Sequence, residues 1–287
     1  MSNRIHGLSA IATNYSGILC DVWGVLHNGQ MVYEEAAKAL AAYRAEGGHV
    51  VMLTNSPRPE AGVIEQFNAL GVDADAYDAV VTSGDATREL IRDVTGSIFH
   101  LGPERDAPLF DGLEVILTNE QDCDAIVCTG LFEDESETPD DYREHLEAMV
   151  KRNIPFICAN PDVVVHRGSQ LIWCAGSLAN LYIELGGNTL VAGKPHQPIY
   201  DLAMVKMAEV AGHDVAKKDI IAIGDAMPTD VAGAQNNSFD LLYISAGIHY
   251  NEYGSADDPD EELLEAFLES HGATPTVWMP RLTWQKV

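Results

Sequence analysis

Four polar clusters stand at the ends of short apolar runs. They are Asp21 after GILC, Thr54-Asn55 after HVVML, Lys194 in AGKPHQPIY, and Asp225 with Asp230 in IIAIGDAMPTD. Each is weak alone, since an aspartate at a strand end caps turns and Thr-Asn is a common turn pair. Together they can do phosphoryl chemistry. Two carboxylates from separate strand ends, Asp21 and Asp225, can hold Mg²⁺ through oxygen ligands, with water and substrate completing the octahedron. The Thr54 hydroxyl can donate to a phosphoryl oxygen, and Lys194 brings a point positive charge to the same group. The remaining oxygen of Asp21 can then attack phosphorus, giving an aspartyl-phosphate that water later hydrolyses.

Those clusters need elements that bring them to one place. Short β-rich runs alternate with helical patterns, which predicts an α/β fold with a mainly parallel sheet, and in such sheets ligands collect at the carboxyl ends of the strands. The first part reads as a strand over 17–21, a helix over 34–46 stopped by Gly47-Gly48, a strand over 49–54 and a helix over 59–70. The middle part reads as strands over 125–128 and 155–158 with a helix over 140–151 between them, then a helix over 175–185. The last part reads as a helix over 197–211, strands over 219–223 and 240–244, and the helix EELLEAFLES, whose first turn is acidic as the helix dipole favours.

Composition narrows the function classes. Seventeen basic residues face 44 acidic ones, a net charge of −27. That surface repels nucleic acid and anionic membranes, so neither is expected as a partner. It also repels a phosphorylated metabolite, so a phosphate site here needs local positive charge. Hydrophobic residues make up 46%, as in ordinary globular domains, and no apolar run approaches the roughly 18–20 residues of a spanning helix. The N-terminal MSNRIHGLSAIATNYSG lacks the pattern of a secretory signal. Five cysteines without a CxxC pair favour reduced thiols, and a cytoplasmic location is expected.

The order of motifs resembles the haloacid dehalogenase (HAD) superfamily of aspartate-nucleophile hydrolases over almost the whole chain. Asp21 in ILCDVWGVL corresponds to the first motif, Thr54 in VVMLTN to the second, Lys194 to the third, and Asp225 with Asp230 to the fourth. More than 130 residues separate Thr54 from Lys194, leaving room for a large cap. Within it VTSGDATREL, CDAIVCTGLFED, ICANPD and CAGSLANLYIELGG look like class IIA caps, the group of NagD-type nucleotide phosphatases, pyridoxal phosphatase and nitrophenyl-phosphate phosphatases. The resemblance implies an α/β fold with a Rossmann-like, doubly wound parallel-sheet core over residues 1–81 and 189–287. Residues 82–188 would form a smaller inserted α/β cap of the C2 type. It further implies Asp21 as nucleophile and Mg²⁺ ligand, Asp225 as a second ligand, Asp230 acting on the metal through water, and the backbone carbonyl of Trp23 as another ligand. Thr54, the Asn55 backbone and Lys194 would hold the phosphoryl group. Cap-mediated homodimers are also implied.

One position departs from the pattern. Phosphatases of this family read DxD in the first motif, and the second acid protonates the leaving group. Here that position is Trp23, whose indole only donates. Three readings follow: a phosphatase in which another group, or none, moves the proton; a carbon–halogen hydrolase, which carries an aromatic residue there as DxY and uses no metal; and a catalytically weakened protein that binds a phosphorylated ligand. His27, in the same turn, is the nearest proton-transfer candidate on pKa grounds, the alternative being a loop histidine with no catalytic role. Arg167 in the cap suits contact with an anionic substrate tail, the alternative being a solvated loop.

Overall fold

The computed structural model describes residues 3–285. The chain divides into two compact units. The first contains the residues up to Thr54, Glu65–Val81 and those from Tyr200 onward; the second contains Asn55–Ile64 and Thr82–Ile199. Residues 55–64 and 189–199 thus pack with the middle of the chain.

The elements in the first half are β1 (Asn3–Arg4), β2 (Gly17–Cys20), α1 (Glu34–Ala45), β3 (His49–Thr54), α2 (Glu60–Leu70), β4 (Ala79–Thr82) and α3 (Ser83–Arg92). There follow β5 (Ser97–Leu101), β6 (Ile116–Leu117), β7 (Ala125–Cys128), α4 (Arg143–Lys151), β8 (Phe156–Cys158), β9 (Val164–Arg167) and β10 (Gln170–Trp173). The rest are α5 (Ala175–Glu184), β11 (Thr189–Val191), α6 (Gln197–Ala211), β12 (Ile220–Gly224), α7 (Ala232–Asn237), β13 (Asp240–Ile244), α8 (Glu261–Ser270) and β14 (Val277–Met279).

In the first unit seven strands form one sheet in the order β1-β14-β13-β12-β2-β3-β4. The β12–β2 and β2–β3 pairs are parallel, with Ile223 opposite Cys20 and Cys20 opposite Met52. Every residue of β2 and of β12 is buried, as expected for parallel strands covered on both faces. This register brings the carboxyl ends of β12, β2 and β3 side by side.

The second unit has its own five-stranded sheet, β11-β8-β7-β5-β6, whose neighbouring strands are all parallel. Its core packs Leu101, Ile126, Leu146, Phe156, Leu178 and Tyr182. Strands β9 and β10 form a separate antiparallel hairpin. The helix expected over 140–151 starts with a 3₁₀ turn, Pro139–Tyr142, and becomes α-helical only at Arg143. Thr138 closes that turn in a capping box with Asp141, and Pro139 suits the first position because its missing N–H would lack a helical partner there. The five cysteines are buried free thiols.

Candidate active site

Asp21 follows β2, and its N–H donates to Ile223 O at 2.8 Å, so the strand ladder with β12 fixes its backbone. Asp225 follows β12. Asp230 lies on the wide turn Met227–Val231, which returns it to the start of the same loop. Its Oδ2 accepts from the amides of Asp225 and Ala226, both at 3.2 Å. All three aspartates are buried, and one carboxylate oxygen from each lies within 4.8 Å of the others.

Close packing explains how three acids fit together. The Asp225 Oδ2 accepts from the Ile248 amide at 2.6 Å. A Cβ added at Gly247 would stand 1.9 Å from that oxygen, and one at Gly24, where φ is +87°, would stand 2.4 Å from it. A Cβ at Gly224 would meet Cβ and Cγ of Asp230 at 2.3 Å. Only bare Cα atoms leave room for the carboxylates here. His249 braces the same loop: its Nε2 accepts from the Met227 amide at 3.1 Å, and burial lowers its pKa. The roles of Gly24, Gly247, Ile248 and His249 were not read from the sequence. The segment SAGIH after the strand at 240–244 was the available signal, at another carboxyl end of the sheet.

Such a cluster fits a hard divalent cation such as Mg²⁺. The donors are all carboxylate oxygens, and drawing like charges together inside the protein costs free energy that a cation offsets. Thr54 ends β3, next to β2 in the sheet, and is buried.

In the second unit, Asn55 and Lys194 are joined. The Asn55 side chain accepts from the Lys194 amide at 2.8 Å and donates to the Lys194 carbonyl at 3.2 Å and to Asp162 at 2.9 Å. Sequence reasoning gave Asn55 only a backbone role and did not single out Asp162. Lys194 is 3% exposed. A Cβ at Gly193 would stand 2.4 Å from Ser83 Oγ, so the glycine lets the chain before Lys194 pass close to α3.

His27 and Arg167 have other partners. His27 is fully buried, its Nδ1 accepts from the Gly29 amide at 3.1 Å, and its Nε2 has no hydrogen-bond partner. Its ring packs edge-on against Trp23 and Phe67, and burial pushes its pKa down to about 4. A ring so enclosed packs the turn and has no open path along which to pass a proton. Arg167 lies on β9 and is paired with Asp134 at 2.8 Å and Glu135 at 3.4 Å. Burial opposes the Asp134 charge, but the hydrogen bonds and charges of Arg167 and Arg105 outweigh it and hold that carboxyl below its usual range. Arg167 therefore braces the loop of Asp134.

The family model described as haloacid dehalogenase-like hydrolase matches residues 18–116, and one described as HAD-hydrolase-like matches residues 191–277. A solved structure of a haloacid dehalogenase-like hydrolase from Brucella suis 1330 is 46% identical, with a TM-score of 0.88, covering 98% of this chain and 100% of that one. The chain belongs to the haloacid dehalogenase-like hydrolases. A 5'-nucleotidase, YutF of Bacillus subtilis (strain 168), is 26% identical over 249 residues, which is 85% of this chain and 92% of that protein. NagD from E. coli K-12 shares the fold at 21% identity with a TM-score of 0.66, covering 93% and 96% of the two chains. No helix among its described residues is long and apolar enough to cross a membrane.

Proposed function

We propose that the chain is a Mg²⁺-dependent phosphohydrolase that cleaves a small phosphorylated metabolite through an aspartyl-phosphate on Asp21. The observation that carries this reading is the convergence of Asp21, Asp225 and Asp230 at the carboxyl end of the sheet. Membership of the HAD hydrolases and likeness to a 5'-nucleotidase support a phosphate monoester as substrate.

Asp21, Asp225, Asp230 and the Trp23 carbonyl would hold the ion, which when bound draws charge from the phosphoryl oxygens. One Asp21 oxygen attacks phosphorus, the bond from phosphorus to the ester oxygen breaks, and the electron pair leaves on that oxygen. Water then attacks the aspartyl-phosphate and releases inorganic phosphate and the Asp21 carboxylate. The Thr54 hydroxyl, the Asn55 amide and the Lys194 ammonium stabilise the phosphoryl oxygens as negative charge shifts. Trp23 has no acidic proton for the leaving oxygen, and general acid catalysis is worth about 10²- to 10⁴-fold. The favoured substrates are therefore those whose leaving group needs no proton, such as aryl phosphate esters or acyl phosphates.

Phosphate release from p-nitrophenyl phosphate tests this. The wild-type protein is expected to turn over with Mg²⁺ and to stop in EDTA, and Asp21→Asn is expected to be inactive with the fold intact. Activity surviving Asp21→Asn, or chloride release from a 2-haloacid that ignores EDTA, would overturn the proposal.

A further inference from the structure

A cavity of about 150 Å³ lies in the second unit among β5, α4 and the segment between β7 and α4. None of its residues belongs to the candidate active site. Its wall is aromatic: the rings of Phe99 and Phe132 are 6.3 Å apart and those of Phe132 and Tyr142 are 6.0 Å apart. Leu146 and Met149 also line it. Phe132 is 43% exposed, so part of its ring is open to solvent.

The remaining lining groups are acids and one histidine: Glu120, Glu137, Asp141 and His145, with no lysine or arginine. The acids are held in place. Glu137 accepts from the Glu133 amide at 2.7 Å and the Tyr142 hydroxyl at 2.5 Å, Asp141 accepts from the Thr138 amide at 2.7 Å, and Glu120 meets His145 at 3.0 Å. The Thr138 hydrogen bonds hold the Asp141 carboxyl below its usual range.

Three ligand classes can be separated on these facts. An anion is repelled by the rim and by a chain of net charge −27. A bare metal ion needs converging donors, and among the described residues only Asp21, Asp225 and Asp230 bring three together. An organic cation suits both halves, because aromatic faces attract an ammonium and also shelter its apolar body. A cavity of roughly 150 Å³ accommodates a body the size of a benzene ring.

We propose that this cavity binds a small organic ammonium ion, its apolar body against Phe99, Phe132, Leu146 and Met149 and its charge toward the acidic lining of Glu120, Glu137 and Asp141.

The test needs only the wild-type protein and three probes of one shape: benzylamine, benzyl alcohol and benzoate. Titration calorimetry gives the affinities, and the Met149 methyl signal in NMR reports the place. Benzylamine is expected to bind about tenfold more tightly than benzyl alcohol, with benzoate not binding. Its affinity should fall as salt rises, and the Met149 methyl should shift as the site fills. Benzyl alcohol binding as tightly as benzylamine would overturn the proposal, and so would a Met149 signal that stays still at saturation.

Discussion

The Trp23 indole closes over Gly29. A Cβ built on Gly29 would stand 2.4 Å from the indole Cη2, and Gly29 has a φ of +80°, a region glycine occupies without strain. The same indole packs edge-on against the His27 ring, 5.1 Å between centroids. The residue that stands where the family's phosphatases carry an acid is thus built into the turn after the proposed nucleophile. Its side chain organises that turn.

Restoring the acid should restore proton transfer. Trp23→Asp is expected to raise turnover of an alkyl phosphate by at least about 100-fold while changing that of p-nitrophenyl phosphate little. Losing the indole costs roughly 1–3 kcal/mol of stability, so the rates should be compared below the melting transition. An equal change on both substrates would show that Trp23 acts on something other than the leaving group.

Gly247 controls the Asp225 carboxylate by leaving it space. Gly247→Ala puts a methyl 1.9 Å from Oδ2, and the carboxylate must move. Metal affinity is expected to fall roughly 10- to 100-fold, as when other supporting contacts of metal ligands are lost. The Mg²⁺ concentration giving half-maximal activity measures it, and circular dichroism should stay as in wild type.

Asn55→Ala removes the amide that satisfies both the N–H and the C=O of Lys194. Each buried backbone group left without a partner costs about 1–3 kcal/mol. The expected outcome is a clearly lower unfolding midpoint in urea. Asn55→Asp should recover part of it, because a carboxylate can still accept from the Lys194 amide. A midpoint unchanged by Asn55→Ala would contradict the clasp.

His27 predicts a pH effect on stability. The unfolded imidazole takes up a proton near its ordinary pKa of 6.5, whereas the buried ring stays neutral down to about 4. Between those values the unfolded state binds the extra proton. The contribution is therefore complete above pH 6.5 and is lost as the pH falls toward 4, by roughly 3 kcal/mol. His27→Asn keeps an acceptor for the Gly29 amide but does not titrate in this range. Its Tm should be lower at neutral pH and should drop less than that of wild type between pH 6.5 and 4.

Much of this architecture was legible because the chain alternates strands and helices with clear stops. The strands at 49–54, 125–128 and 240–244 and the helix at 197–211 fall where the pattern puts them, and Gly47-Gly48 ends α1. The three-residue strands β11 and β14 and the two-residue β6 carry too few residues to show a period. The convergence of Asp21, Asp225 and Asp230 was legible because strand ends in a parallel sheet lie at one edge. The supports were not: Gly24 and Gly247 act through the absence of a side chain, and Ile248 through its backbone amide. Nor does a histidine in a turn announce that it is buried, which is why the sequence leaves His27 open between a proton carrier and a loop histidine with no catalytic role. For Arg167 the sequence leaves substrate contact and solvated loop both open, because its partner, Asp134, lies 33 residues away in the chain.

If Asp225 is a metal ligand, its charge should appear in binding as well as in rate. A ligand that binds only the folded state stabilises it by RT ln(1 + [L]/Kd), about 2.7 kcal/mol at 100 times Kd. Mg²⁺ should therefore raise the Tm of the wild-type protein, and EDTA should reverse the rise. Asp225→Asn can keep an oxygen for the Ile248 amide while removing the negative charge. With Asp21 and Asp230 left to balance a divalent cation, the Mg²⁺-dependent rise should shrink to a small fraction of the wild-type value. Without Mg²⁺ the variant should melt at or above the wild-type temperature, because one of three crowded buried charges is gone. A wild-type Tm indifferent to Mg²⁺, or a variant with a full Mg²⁺ response, would remove Asp225 from the metal site.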